Sequence, residues 1–219
     1  AEAGEGGEGI TDGKGAGGSG DGVVLESWID STGTGQIDVN SFDHITLTAT
    51  GKITSVSGTV TVTADTKVGD HGGAIVMADG ALIDGGSGQI DLSADGKITL
   101  GGLTTSGNVT VTTTSGSILD GGDTHADIVA ADAKLSARID IGAPGTGAID
   151  VDVDTLTAAT TLTPNAGTHG IWVNDSDDIT LTSVTTNDGV IVINAAGTLT
   201  ATSVIAGGTG RGVALKTTA

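Results

Sequence analysis

Apolar residues recur along this chain at intervals of about 20 residues. The first apolar mark of each interval is an aliphatic residue that follows a turn glycine or its equivalent. These first marks are Ile37, Val60, Ile75, Ile90, Val109, Ile128, Ile149, Ile171, Ile191 and Val213. Recurrence at this period is typical of repeat proteins in which each unit buries its apolar face only against the next. The pattern predicts an all-β solenoid of about ten coils, with about 20 residues per coil.

A second set of apolar residues follows the first marks after seven to nine residues. Its members are Ile45, Ile83, Ile98, Ile118, Leu135, Leu156, Ile179 and Leu199. We expect each set to point inward and to stack from coil to coil. The first marks between Ile90 and Ile191 should form one ladder, and the second marks between Ile98 and Leu199 should form another.

Short runs within the repeats alternate apolar and polar residues, as in residues 88–94, 107–112 and 147–153. A period of two places one set of side chains inside and the other in water, which favours strands. With two Trp, one Phe and no Tyr, the chain lacks the bulky residues that fill a wide core. Ladders of Val, Ile, Leu and Ala suit the narrow core of a coil stack.

Charge and composition narrow the class of partner. The net charge is −19, which repels nucleic acid and anionic membranes. No apolar run is long enough to span a membrane, so we expect no membrane span. The chain has no cysteine and does not begin with Met, which indicates either a removed signal segment or a piece of a longer chain. Its acids divide it into a Gly/Glu-rich segment, residues 1–22, and a solenoid domain, residues 23–219.

Two acidic segments are weak candidates for calcium, the only cofactor that the sequence suggests. Residues 17–23 resemble a fragment of the calcium-binding glycine–aspartate nonapeptide, with Asp21 one place early. Residues 174–178 contain Asp175, Asp177 and Asp178, whose oxygens are the ligand type that calcium prefers. The alternative for this second segment is a solvated turn in which the carboxylates bind their own backbone.

A third acidic group invites comparison with glycoside-cleaving β-helix enzymes. Asp150, Asp152 and Asp154 alternate along one predicted strand and should share an outward face. Such enzymes also need a cleft with basic or aromatic residues, and the chain has only Arg138 and Arg211 besides six lysines. The four histidines show no motif spacing. We therefore assign no catalytic residue and expect no enzymatic activity.

Paired threonines recur on the predicted strands, for example in residues 46–48, 110–112 and 198–200. Ice-binding solenoids present such pairs as a flat array. Here other coils carry Asp91, Asp150 or Asp152 at equivalent positions, and charge would interrupt the array. Threonine also favours exposed strand faces for ordinary structural reasons.

Residues 88–100 and 107–119 resemble the repeats of filamentous-haemagglutinin-like adhesins and of giant repetitive bacterial surface proteins. The resemblance implies a right-handed parallel β-helix and an exported protein with a role in adhesion, biofilm or fibre formation. The function expected is therefore an extracellular or cell-surface stalk, adhesin segment or fibre subunit, with a surface glycan or host receptor as a candidate partner. The alternatives are a carbohydrate-binding or carbohydrate-cleaving β-helix and then an ice-binding solenoid.

The end of the chain predicts a further partner. Residues 212–219 keep a strand-like pattern with a single lysine, and no helical cap follows. An uncovered strand edge invites pairing with another strand. We expect this edge to be covered either by a second copy in head-to-tail self-association or by further coils of a longer chain.

Overall fold

The computed structural model describes residues 2–3, 8–11, 22–65, 72–122, 125–162 and 169–218. These residues form parallel sheets stacked as a β-solenoid of about eight coils. The predicted fold class is confirmed, with fewer coils than the ten expected. Within the described ranges there is no α-helix, and one short 3₁₀ turn spans Gly145–Gly147.

The strands follow the chain in the order β1 (Glu2–Ala3), β2 (Glu8–Thr11), β3 (Val23–Leu25), β4 (Trp28–Ser31), β5 (Ile37–Asn40), β6 (Ile45–Leu47), β7 (Lys52–Ser55), β8 (Val60–Thr63), β9 (Ile75–Met77), β10 (Leu82–Gly86), β11 (Ile90–Ala94), β12 (Ile98–Leu100), β13 (Gly102–Thr105), β14 (Asn108–Thr113), β15 (Ile118–Asp120), β16 (Ile128–Ala137), β17 (Ile149–Thr160), β18 (Gly170–Asp175), β19 (Ile179–Thr186), β20 (Val190–Ala195), β21 (Leu199–Ala201), β22 (Val204–Ala206) and β23 (Val213–Thr217).

The coils present three faces, which we call A, B and C. Face A contains β3, β6, β9, β12 and β15. Face B contains β1, β4, β7, β10, β13, the first parts of β16 and β17, and then β18, β20 and β23. Face C contains β2, β5, β8, β11, β14, the later parts of β16 and β17, and then β19, β21 and β22. Because β16 and β17 run through the corner between B and C, these two faces form one continuous sheet.

The apolar marks point inward, as the sequence predicts. The first marks from Ile37 to Ile191 are each at most 1% exposed, and most second marks are equally buried. They join one continuous aliphatic core that runs from Ile29 to Ala195. Stacked aliphatic side chains exclude water along the whole rod, which stabilises it without an aromatic centre.

The prediction of two ladders was wrong in its pairing. Ile90 stacks on Val109 on face C, but Ile128 lies on face B, between Leu103 and Val151. Each coil has three apolar strands, and the marks move from one face to another where coils differ in length. Because Ile75 and Ile90 belong to two faces of the same coil, the marks also overcount the coils.

The ladders in the structure each follow a single face. On face A the ladder is Ile45, Ile75, Ile98, Ile118, Ile141 and Ile171. On face B it is Ile29, Ile53, Ile83, Leu103, Ile128 and Val151. On face C it is Ile37, Val60, Ile90, Val109, Ala133, Leu156 and Leu181.

Glycines stack at the corner where face B turns into face C. A Cβ built on Gly58 would lie 1.9 Å from the carbonyl oxygen of Gly35, and one on Gly88 would lie 2.2 Å from that of Gly58. Buried hydroxyls satisfy these same carbonyls, because Ser31 Oγ donates to Gly35 O at 3.2 Å and Ser55 Oγ donates to Gly58 O at 3.0 Å. The corner therefore requires both a residue without a side chain and a small donor beside it.

The outward positions of the first four coils follow a two-coil repeat. On face B the order is Asp30, Thr54, Asp84 and Thr104. On face C it is Asp38, Thr61, Asp91 and Thr110. Like charges directly opposite each other destabilise a sheet, and the intervening threonines separate the carboxylates by two strand spacings, roughly 9.6 Å.

Candidate functional surfaces

Asp150, Asp152 and Asp154 lie on the outward side of β17, as expected. Asp150 is tied into a polar ladder on face B. Its Oδ1 accepts a hydrogen bond from Asn174 Nδ2 at 2.8 Å, and Asn174 Oδ1 accepts one from Asn194 Nδ2 at 2.8 Å. This carboxylate therefore links three successive coils, which is a structural use of the side chain.

The calcium candidates of the second acidic segment point in different directions. Asp175 is buried, and its two carboxylate oxygens accept bonds from the backbone N–H groups of Asp177 at 3.1 Å and Val153 at 3.3 Å. Asp178 Oδ1 accepts from the backbone N–H of Thr198 at 2.5 Å, and Asp177 is exposed. The structure thus shows the turn with backbone-bound carboxylates that the sequence left as the alternative.

Across the described ranges, no group of three His, Asp or Glu side chains is placed to hold a metal ion. Asp21, the other calcium candidate, lies outside the described residues. Calcium binding at Asp175, Asp177 and Asp178 stays a prediction without a gathered ligand set.

Burial raises the pKa of Asp175 above its ordinary value of 3.8. Repulsion from Asp177 and Asp152 adds to this rise, and the two backbone hydrogen bonds oppose it. The folded state therefore holds the Asp175 proton more tightly than the unfolded state does. As pH rises from 3.8 through the raised pKa, the ionised carboxylate becomes a destabilising group.

We expect an Asp175→Asn variant to reveal this titration. The free energy of unfolding of the parent chain should fall relative to that of the variant as pH rises from 3.8, and the difference should level off once Asp175 is ionised in both states. Urea denaturation followed by circular dichroism at a series of pH values measures the difference. A parent chain that gains stability relative to the variant over this window would contradict the assignment.

Two charged pairs fasten neighbouring coils, and the sequence gave no warning of either. The Asp140 carboxylate contacts His169 Nδ1 at 3.2 Å and accepts the backbone N–H of Gly170 at 2.9 Å. Arg211 Nε donates to Asp188 Oδ1 at 2.8 Å, and this bond raises the Arg211 pKa. Both pairs join residues about one coil apart, so a search at the coil period would have found them.

A groove of about 380 Å³ opens on face B, lined by Lys52, Leu82, Gly102, Thr104 and His125 among others. Gly102 has no side chain in a column where Lys52 and Leu82 stand in register, which leaves the space open. Trp28 is in register with Lys52 and is 69% exposed. An exposed indole beside a groove offers a flat surface on which a ring can stack.

Face C carries a second, more polar groove of about 460 Å³, lined by Asn108, Thr110, Asp132, Lys134 and Thr157 among others. Its threonine column is interrupted, because Lys134 stands between Thr110 and Thr157 in register. Asp38 and Asp91 interrupt the same column earlier. Face C is therefore not the unbroken threonine plane of an ice-binding solenoid, and neither groove is lined by Asp150, Asp152 or Asp154.

The fold and these surfaces define the chain as a β-solenoid repeat protein. No family model, curated protein or solved structure matches the chain. The described part of the chain also contains no helix with the length and apolar character needed to cross a membrane.

Proposed function

We propose that this chain is an extracellular structural and adhesive rod, serving as a stalk, adhesin segment or fibre subunit at a bacterial surface. The observation that carries the proposal is the continuous core from Ile29 to Ala195, which makes a long object from many similar coils. Such a stack extends by repetition and presents broad faces along its length. That geometry suits spacing and surface contact.

The surface chemistry supports the same role. A net charge of −19 is spread over polar outward columns, which opposes lateral clumping of rods. The described carboxylates with printed partners act within the fold: Asp150, Asp175 and Asp178 each bond to groups of the rod itself. A structural reading accounts for these contacts without a reaction.

The location is tested by staining cells that make the chain with antibodies raised against residues 22–218. We expect intact cells to stain as strongly as permeabilised cells. Staining that requires permeabilisation would overturn the extracellular assignment.

The adhesive role is tested by deleting the gene and measuring attachment of cells to a surface. We expect attachment to fall and to return when the parent chain is restored. A Leu156→Asp chain, whose core is broken, is the matched control and should not restore attachment. Unchanged attachment after deletion would overturn the adhesive role.

A second candidate function, binding of a surface glycan, is favoured by Trp28 beside the face B groove. Trp172 is 6% exposed, so a change in tryptophan fluorescence on ligand addition would report mainly on Trp28. We expect binding to a printed array of cell-surface glycans to be lost in Trp28→Ala and kept in Val24→Ala, which alters another exposed apolar residue. Equal binding by both variants would contradict a role for Trp28.

A further inference from the structure

The C-terminal coil, formed by β21, β22 and β23, has an uncovered inner side. Val213 and Leu215 stand in register with Ile191 and Ile193. Those two isoleucines are fully buried, whereas Val213 is 45% and Leu215 is 37% exposed. Side chains at core positions of the solenoid are therefore half open to water, which favours coverage by another apolar surface.

The backbone of this coil is open on the same side. Among the described strands, β21 and β22 pair with β19, and β23 pairs with β20. Each thus has a described strand on one side only. Free N–H and C=O groups along an edge are a template for a further parallel strand.

The opposite end of the chain offers matching strands. β1 pairs with β4 on face B, and β2 pairs with β5 on face C. The C-terminal coil likewise consists of a face B strand, β23, and face C strands, β21 and β22. An N-terminal coil stacked on a C-terminal coil would continue both faces without rotating the rod.

The charges of the two ends are opposite. Residues 1–22 contain five acids and one lysine, a net charge of −4, whereas residues 199–219 contain Arg211 and Lys216 and no acid. Arg211 is already bonded to Asp188, and Lys216 is exposed on face B. In a chain with a net charge of −19, this end is the one that attracts an acidic segment.

We propose that the C-terminal coil binds the N-terminal coil of a second copy of this chain, so that copies assemble head to tail. Such a contact uses two different surfaces and does not close on itself, which produces filaments. The proposal names a partner for the structural role above and rests on that role. Its assay uses purified chain rather than cells, so a monomeric chain found at the cell surface would defeat this inference alone.

The test is sedimentation of the purified 219-residue chain over a range of concentrations, with electron microscopy of the assemblies. We expect the parent chain to form particles of growing length. Leu215→Asp should weaken association about tenfold or more, because it places charge on the exposed core edge. Val56→Asp, at a residue 58% exposed on another part of the rod, is its control and should change association by less than about twofold.

A second pair of variants keeps the test valid if Leu215→Asp frays the last coil. Lys216→Glu and Lys134→Glu change the net charge equally, and both lysines are exposed. We expect only Lys216→Glu to weaken association, and added salt to weaken that of the parent chain. A parent chain that stays monomeric, a dimer that does not grow, or equal effects of both charge reversals would overturn the proposal.

Discussion

Replacing Leu156 with aspartate is expected to destabilise the rod by about 4 kcal/mol or more. Leu156 is fully buried and stacks between Ala133 and Leu181 on face C. The substitution removes a leucine from a close-packed ladder and places a carboxylate where no described side chain offers it a charge partner. The free energy of unfolding from urea denaturation measures the loss.

Thr157→Asp is the matched control, because Thr157 follows Leu156 on β17 and points outward beside Lys134. We expect its stability to lie within about 0.5 kcal/mol of the parent value. Hydrogen exchange should show that Leu156→Asp weakens protection first in the coils on either side of it, since each coil contacts only its neighbours. Similar losses in both variants would mean that β17 does not present these two side chains to opposite sides.

Replacing Gly58 with alanine is the second change with a large expected effect, at about 3 kcal/mol of destabilisation. The new methyl group would lie 1.9 Å from the carbonyl oxygen of Gly35, so the backbone of one coil has to move away from the next. That movement also strains the bond from Ser55 Oγ to Gly58 O. Thermal unfolding and urea denaturation both report the loss.

Gly33→Ala controls for the general effect of alanine on the unfolded chain. A Cβ at Gly33 meets no atom within 4 Å, so the substitution should be neutral or stabilise by up to about 1 kcal/mol. If Gly58→Ala unfolds as late as Gly33→Ala, the close stacking of this corner is incorrect.

The inward positions could be predicted from sequence because they depend on local alternation alone. Ile90 and Val109 follow turn glycines and begin period-two runs, and both are buried as that pattern requires. The stacking partner of a residue depends instead on how many residues each coil contains. Ile45 and Ile75 are stacked neighbours 30 residues apart, whereas Ile98 and Ile118 are stacked neighbours only 20 residues apart.

The change of face at Ile128 had a specific cause. In earlier coils a glycine marks the corner between faces B and C, as at Gly58 and Gly88. β16 and β17 pass this corner as continuous strands, so the glycine that would have set the phase is missing from both. The aliphatic residues on the two faces are alike, and nothing local distinguishes a face B mark from a face C mark.

The surface contacts were harder to predict than the core because they join residues one or more coils apart. Asp140 and His169 are 29 residues apart, which conceals their pairing from any short motif. The two-coil repeat left a stronger signal that a self-comparison would detect. The string Gly-Gln-Ile-Asp occurs at residues 35–38 and again 53 residues later at 88–91, and in both copies the glutamine Nε2 donates to the aspartate Oδ1 at 2.6 Å.

This alternation of acidic and threonine coils determines how the first half of the rod can change in length. Duplicating or deleting a pair of coils, about 53 residues, keeps every carboxylate facing a threonine on both faces. Gaining or losing a single coil would instead set Asp30 against an aspartate on face B and Asp38 against one on face C. The heritable unit of growth in this segment is therefore the coil pair, and the rod can lengthen over generations in steps of roughly 9.6 Å.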